Sequence, residues 1–306
     1  MPIIQPAQLV IGKTIDVLRL DLIHPIISGN KWFKLKNNLQ RAINEGKKSI
    51  LTFGGAQSNH LAAAAAACKE ANIQCIAIVR GEDASIQSET LLAASKAGTH
   101  VYPISRDLYN QKNEAHFIET LQEKFGDFYL VPEGGNNAEG ILGCMDILEG
   151  IDQYDYVFCA CGSGATYAGL VASEKTNTKI IGISVLKGEN KLVTEVQNQL
   201  ELMFPEKHFE IHDNKALEEN QIHKNCILNN YAFSGFAKFD PFLIDYKREF
   251  ERQNDFVLDY LYTNKLFYAL EDILRKNKLP EHAKMLVIHT GGLQGNAAFE
   301  KRYHLL

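Results

Sequence analysis

The sequence predicts an α/β protein built on mostly parallel sheets, and three observations carry that expectation. Short β-rich runs alternate with helical stretches along the chain. The strand candidates are apolar nearly throughout, as strands covered on both faces must be. Glycine and small polar residues gather where strands would run into helices, which is where open sheets of this kind bind ligands.

In chain order, the strand candidates are 49–53, 74–79, 99–102, 128–131, 156–161, 179–185 and 284–289. Each is a short run bounded by turn residues or by a helical stretch. Helix candidates lie between them at 59–70, 88–97, 114–124, 138–148, 166–173, 191–202, 241–253 and 264–276. The six alanines from Ala62 to Ala67 predict a helix packed closely against a sheet, with no chemistry of their own. The segment 205–221 is charged and weakly patterned, and it predicts surface structure. There is no internal repeat or low-complexity linker.

The 306 residues can bury a sizeable core without staples, as one large domain or two of ordinary size. A net charge of −5, from 37 acids and 32 bases with no long run of either sign, points away from nucleic acid and anionic membranes. No apolar stretch approaches a membrane span. The start, Met1-Pro2-Ile3-Ile4-Gln5-Pro6, lacks the basic region and apolar core of a signal peptide, so a cytoplasmic protein is the expectation. Cys68, Cys75, Cys159 and Cys161 lie in apolar surroundings, and Cys-x-Cys alone is not a metal spacing. They read as buried, reduced thiols.

Four strand-to-helix turns, 54–59, 133–137, 162–166 and 290–292, are rich in glycine and small polar residues. Any one could be a tight turn using glycine's backbone freedom. Four on one edge would converge on a shared crevice. The turn Gly162-Ser163-Gly164-Ala165-Thr166 offers backbone N–H groups, two hydroxyls and the positive end of a helix, a cup for one phosphate. A dinucleotide fits poorly, because the third fingerprint position is Tyr167 and no acid closes the next strand. A P-loop is excluded, since no Gly-Lys-Ser/Thr follows.

Lys31, in Ser28-Gly29-Asn30-Lys31-Trp32-Phe33-Lys34, supplies the second half of the argument. By itself it reads as a solvated surface lysine, and the residues around it reverse that reading. Next to a turn that opens a helix, and partly desolvated, its amine could hold an aldehyde cofactor as a Schiff base. An aldehyde plus one phosphate points to pyridoxal phosphate.

Six motifs occur in one order: Gly29-Asn30-Lys31-x-x-Lys34, Gly54-Gly55-x-Gln57-Ser58-Asn59-His60, Gly134-Gly135-Asn136, the 162–166 cup, Tyr262-Thr263-x-Lys265 and His289-Thr290-Gly291-Gly292. In these the chain resembles, over essentially its whole length, the pyridoxal-phosphate enzymes that group D-cysteine desulfhydrase with 1-aminocyclopropane-1-carboxylate deaminase. The resemblance implies a two-domain α/β architecture of fold type II, tryptophan synthase beta-like. Residues 1–36 plus 150–306 would form the large cofactor-binding domain and 37–149 the small one. It also implies a homodimer and a small amino-acid substrate.

The resemblance further implies roles. Lys31 would carry the cofactor and Lys34 would reach its phosphate. Asn59 would bond the phenolic oxygen, and the turn of Gly162, Ser163, Gly164, Ala165 and Thr166 would hold the phosphate, with Thr263 and Thr290 also on the cofactor. Ser58 and Tyr262 would join Lys31 in proton transfer. Ser58, Asn59, His60, Phe236 and Tyr262 would face the substrate. The family's deaminases carry glutamate at the place of Thr263 and glutamine at the place of His60, so both positions look like the desulfhydrases. The chain departs from the pattern at Ala62, where an arginine is usual, at Phe236, where a tyrosine is expected, and at Asn264, where a glycine is usual.

The expected reaction is therefore β-elimination from a small amino acid to pyruvate, ammonia and sulfide. The alternatives are ring opening of the cyclopropane acid to 2-oxobutanoate, a nucleotide-dependent oxidoreductase, and a protein that binds pyridoxal phosphate or amino acids without catalysis.

Overall fold

The computed structural model describes residues 3–82, 88–173, 178–188, 191–213, 222 and 225–305. Part of the segment expected at the surface, 214–221, lies outside the described residues. The strands are β1 (Ile3–Gln8), β2 (Thr14–Arg19), β3 (Ser49–Gly54), β4 (Gln74–Arg80), β5 (His100–Ile104), β6 (Tyr129–Val131), β7 (Tyr156–Cys161), β8 (Lys179–Ser184), β9 (Asn225–Leu228) and β10 (Met285–His289). The helices are α1 (Asn30–Asn44), α2 (Asn59–Glu70), α3 (Glu89–Lys96), α4 (Arg106–Tyr109), α5 (Ala115–Phe125), α6 (Ala138–Cys144), α7 (Ala165–Ala172), α8 (Lys191–Met203), α9 (Pro241–Gln253), α10 (Thr263–Arg275) and α11 (Asn296–Tyr303).

The chain divides into two compact units. The larger comprises Met1–Ile23, Ser28–Asn30 and Cys144–Leu306, the smaller His24–Ile27 and Lys31–Gly143. Where the sequence reading joined the domains after 36 and after 149, compactness divides the chain after 30 and after 143. Helix α1 beyond Asn30 therefore travels with the smaller unit.

The larger unit holds a six-stranded sheet in the order β1-β2-β10-β7-β8-β9. Only β1 and β2 pair antiparallel; every other pairing is parallel. Val17, Phe158, Ile181, Ile183 and Val287 from this sheet pack with Leu266, Phe267 and Leu270 of α10 in one core. Each such side chain contributes about 1.5–3 kcal/mol by leaving water. Helix α7 is buried along its whole length, which its small apolar composition permits.

The smaller unit holds a four-stranded sheet, β5-β4-β3-β6, parallel throughout. Strand β3 is buried at every position, and its side chains alternate between two cores. Ile50 packs with Leu35, Ala42 and with Ala63, Ala64 and Ala67 of α2, while Leu51 and Phe53 pack with Phe117 and Leu121 of α5. The alanine run is thus a packing surface against the sheet, as expected. All six cysteines are buried and unbridged. Among the described residues no helix is long and apolar enough to cross a membrane.

Each sheet changes direction once. In the larger unit β7 leads to β8 on one side and has β10 on the other; in the smaller, β3 leads to β4 on one side and has β6 on the other. Such switch points open a crevice at the carboxyl ends of the strands. Turns 162–166 and 290–292 follow the neighbours β7 and β10, and turns 54–59 and 133–137 follow the neighbours β3 and β6.

Candidate active site

In the larger unit the site begins at the end of β7. Gly164 caps α7 with φ +85°, a left-handed conformation, and no side chain caps the helix. A Cβ on Gly164 would fall 2.7 Å from Val196 Cγ2, so the cup demands glycine there. The first intrahelical bond is Ala168 N to Gly164 O, which leaves the preceding amides as the helix's donors for an anion. Thr166 is buried, and its Oγ1 accepts a bond from Asn30 Nδ2 at 2.7 Å. Among the described residues its own proton meets no acceptor.

Asn30 is the residue before Lys31. Its backbone N–H bonds the Thr290 carbonyl at 3.4 Å. Gly29 comes so close to Thr290 that an added Cβ would sit 1.9 Å from that carbonyl oxygen, at a φ of +68°. The peptide leading into Lys31 is therefore fixed against both glycine-rich turns of the larger unit.

Tyr262 stands beside Gly162, where a Cβ would lie 3.1 Å from its Cε1, and Phe236 meets its ring edge-on with centroids 5.7 Å apart. The structure thus brings Gly162, Tyr262 and Phe236 together. What holds Tyr262 is Asp259, a residue with no role in the sequence reading. Its buried carboxylate accepts from the N–H groups of Leu261, Tyr262 and Thr263 at 2.7–2.9 Å and from the Thr263 hydroxyl at 2.7 Å. The Thr263 oxygen in turn accepts from Asp259 N. Thr263 is fully buried with its proton engaged on a carboxylate, so Asp259 stands one hydrogen bond behind any partner of that hydroxyl. Asn264, also buried, donates to Leu243 O. Lys265, the next residue, donates to the carbonyls of Ala232 and Gly235 and anchors the loop that carries Phe236. Burial lowers the pKa of this lysine.

In the smaller unit, Lys31 opens α1 half-buried and Lys34 follows fully buried, its Nζ donating to Gly134 O at 3.1 Å. Asn38 donates to Lys34 O and receives a bond from Asn137 Nδ2, so turn 133–137 is pinned to the lysine helix. Ser58 caps α2 by accepting from Leu61 N. Asn59 and His60 form the first turn behind it. His60 is only 3 % exposed. Burial first, then the charges of Lys31 and Lys34, lower its pKa to about 3, so it is neutral at physiological pH. Asn59 Oδ1 and His60 Nδ1 are buried acceptors that no donor reaches among the described residues. Native structures rarely leave such atoms unpaired, so this adjacent pair is open to donors that a ligand or water brings. Ala62, half-buried, fills the place of the usual arginine.

Asp259 was legible in part: an acid just ahead of a helix start is a capping signal. Thr52, whose hydroxyl meets His60 Nε2 at 2.8 Å, carried no signal, because it sits inside an apolar strand.

Comparison with known proteins completes the description. The profile of the family described as pyridoxal-phosphate dependent enzyme matches residues 10–291. A protein of Thermotoga maritima with the provisional name 1-aminocyclopropane-1-carboxylate deaminase is 28% identical over 303 residues, covering 95% of this chain and 92% of its own. One of Pyrococcus furiosus with the same provisional name is 30% identical over 297 residues, covering 93% and 86%. The bifunctional mitochondrial D-cysteine desulfhydrase/1-aminocyclopropane-1-carboxylate deaminase of Arabidopsis thaliana is 26% identical, covering 93% and 73%. Among solved structures, an ACC deaminase homologue superposes with a TM-score of 0.82 at 26% identity, covering 100% of this chain and 94% of that one.

Proposed function

The chain belongs to the pyridoxal-phosphate dependent enzyme family, and from that premise we propose that it is a lyase deaminating a small amino acid, D-cysteine desulfhydration to pyruvate, ammonia and sulfide being its reaction. One observation carries the cofactor-bound reading: the peptide entering the half-buried Lys31 is held by the hydroxyl of Thr166, a member of the phosphate cup. The residues fit the cofactor. A glycine-walled cup with a hydroxyl proton to spare suits a single phosphate, and the unpaired acceptors beside Lys31 suit a polar ligand. When bound, pyridoxal phosphate supplies an electron sink conjugated to the substrate's α-carbon.

The chain's own residues do the rest. The amides at the start of α7 and the hydroxyls of Ser163 and Thr166 bind the phosphate, with Lys34 adding charge. Asn59 orients the ring through its side-chain amide, and Thr290 and Thr263 border it. Lys31 Nζ would hold the cofactor and would be the amine that moves the proton at the substrate's α-carbon. Ser58 Oγ or the Tyr262 hydroxyl handles the proton on the opposite face. Neutral His60 would meet the substrate's β-substituent, and Phe236, against Tyr262, is the other residue assigned to the substrate. We place this activity in the cytoplasm and in a homodimer.

A second reading is favoured by a specific observation. The buried Asp259 carboxylate behind Thr263 brings a negative charge close to the position where the deaminases carry glutamate. It supports ring opening of the cyclopropane acid to 2-oxobutanoate.

A visible spectrum of the purified protein, with and without borohydride, followed by a panel of D- and L-amino acids and the cyclopropane acid, tests these readings. Yellow colour trapped on Lys31 with pyruvate released from D-cysteine is the expected result. Release of 2-oxobutanoate alone would replace the first reaction by the second. Colour without product would leave a binding protein.

A further inference from the structure

We propose that Thr52 is a positioning residue that holds His60 in its Nε2–H form, so that the bare Nδ1 lone pair accepts a hydrogen bond from an N–H, O–H or S–H group on the side chain of the bound amino acid. The inference rests on the amino-acid reading above for its ligand, and on the proton count around one hydroxyl for its geometry.

Thr52 is fully buried in the middle of β3. Its hydroxyl donates to Val131 O on the neighbouring strand β6 at 2.7 Å. A hydroxyl has one proton, and that proton is spent. Its 2.8 Å contact with His60 Nε2 therefore requires the imidazole to be the donor. With a proton on Nε2 and the ring neutral, Nδ1 carries a lone pair. The ring stays neutral because it is buried and faces the positive charges of Lys31 and Lys34 on α1. Those two are the charged groups acting on it. Thr52 from β3 brings no charge, nor does Gly135, whose backbone passes near His60 Cε1.

Among the described residues no donor reaches the buried Nδ1, and Asn59 Oδ1, on the preceding residue, is in the same state. A ligand that brings donors satisfies both atoms. A side-chain carboxylate would set lone pair against lone pair, and an alkyl group would leave Nδ1 unpaired. The substrate class this selects is an amino acid whose β-substituent bears a donor, a thiol or hydroxyl. Alanine-like and acidic side chains are disfavoured.

The test uses the holoenzyme labelled with ¹⁵N-histidine, the His60 resonances being identified with H60Q. Expected are a protonated Nε2 and an unprotonated Nδ1 between about pH 5 and 9. Dissociation constants read from the cofactor spectrum should favour serine over alanine of the same configuration by roughly tenfold. T52V should lose most of that ratio and mix the tautomers, and T52S should keep both. A proton on Nδ1 in the unmodified protein, or a T52V variant that keeps the serine preference, overturns the proposal. If T52V does not fold, the tautomer and the serine-to-alanine ratio of the unmodified protein decide alone. If the protein never takes up pyridoxal phosphate, the function fails, while the tautomer is still read and judged separately.

Discussion

The two units solve different problems with the same architectural device. Each places two glycine-rich turns side by side at the switch point of a parallel sheet. In the larger unit the turns present backbone amides and a hydroxyl proton, donors suited to an anion. In the smaller the turn that opens α2 presents a neutral imidazole and bare acceptor atoms, and α1 adds the half-buried amine of Lys31, groups suited to moving or receiving protons. The difference comes from side chains alone, since the strand order that creates each crevice follows the same rule.

The strongest break in this comparison is removal of the amine. Lys31→Ala should abolish the yellow colour and lower turnover by the ~10²–10⁴ typical of a positioned acid–base group or more, measured by product release and borohydride labelling. A variant that keeps colour and turnover would move the chemistry out of the smaller unit. The acid limb of stability should separate the units next. His60 titrates at about 3 when folded against an ordinary 6.5, so the unfolded chain binds the extra proton first. Its contribution is intact above 6.5 and is lost as pH falls from there toward 3, by several kcal/mol in all. His60→Gln should flatten urea-unfolding free energies across that window.

In the larger unit, Asp259→Ala strands three backbone N–H groups and the Thr263 hydroxyl. It should cost about 3 kcal/mol in unfolding free energy and loosen Tyr262. Gly164→Ala meets Val196 and a left-handed φ together. It should cost roughly 1–3 kcal/mol and weaken cofactor affinity, read by spectral titration, while the tautomer of His60 in the other unit stays unchanged.

The sequence foretold seven strands, and for most of them the reason is physical: burial on both faces leaves a nearly continuous apolar signal, as in β3 and β7. It missed β1 and β2, at whose antiparallel edge polar residues and Pro6 interrupt the pattern, and β9, a strand of four residues. It read the opening of α1 from Gly29-Asn30 without its extent. Helix 138–148 became α6 followed by a 3₁₀ turn, Met145–Leu148, a tightening common at helix ends. At the site, motif residues were legible because their types are chemically unusual. The residues that hold them were not. Thr52 looks like any β-branched strand residue, and Lys265 looks like a surface lysine until its two carbonyl partners are seen. Partners of that kind are set by register and loop path, which periodicity does not encode.

Strand β2 lies inside the six-stranded sheet, paired with β10 through Asp16–Arg19 and Leu286–His289. Strand β2 therefore pairs with a partner about 270 residues further along the chain. The sheet of the smaller unit, by contrast, draws all its strands from the stretch between residues 31 and 143. Closure of the larger sheet joins segments about 270 residues apart, long-range pairing of the kind that slows folding. Gly29 and Asn30 meet Thr290 across a similar separation, so the anchorage of the peptide before Lys31 depends on that same closure.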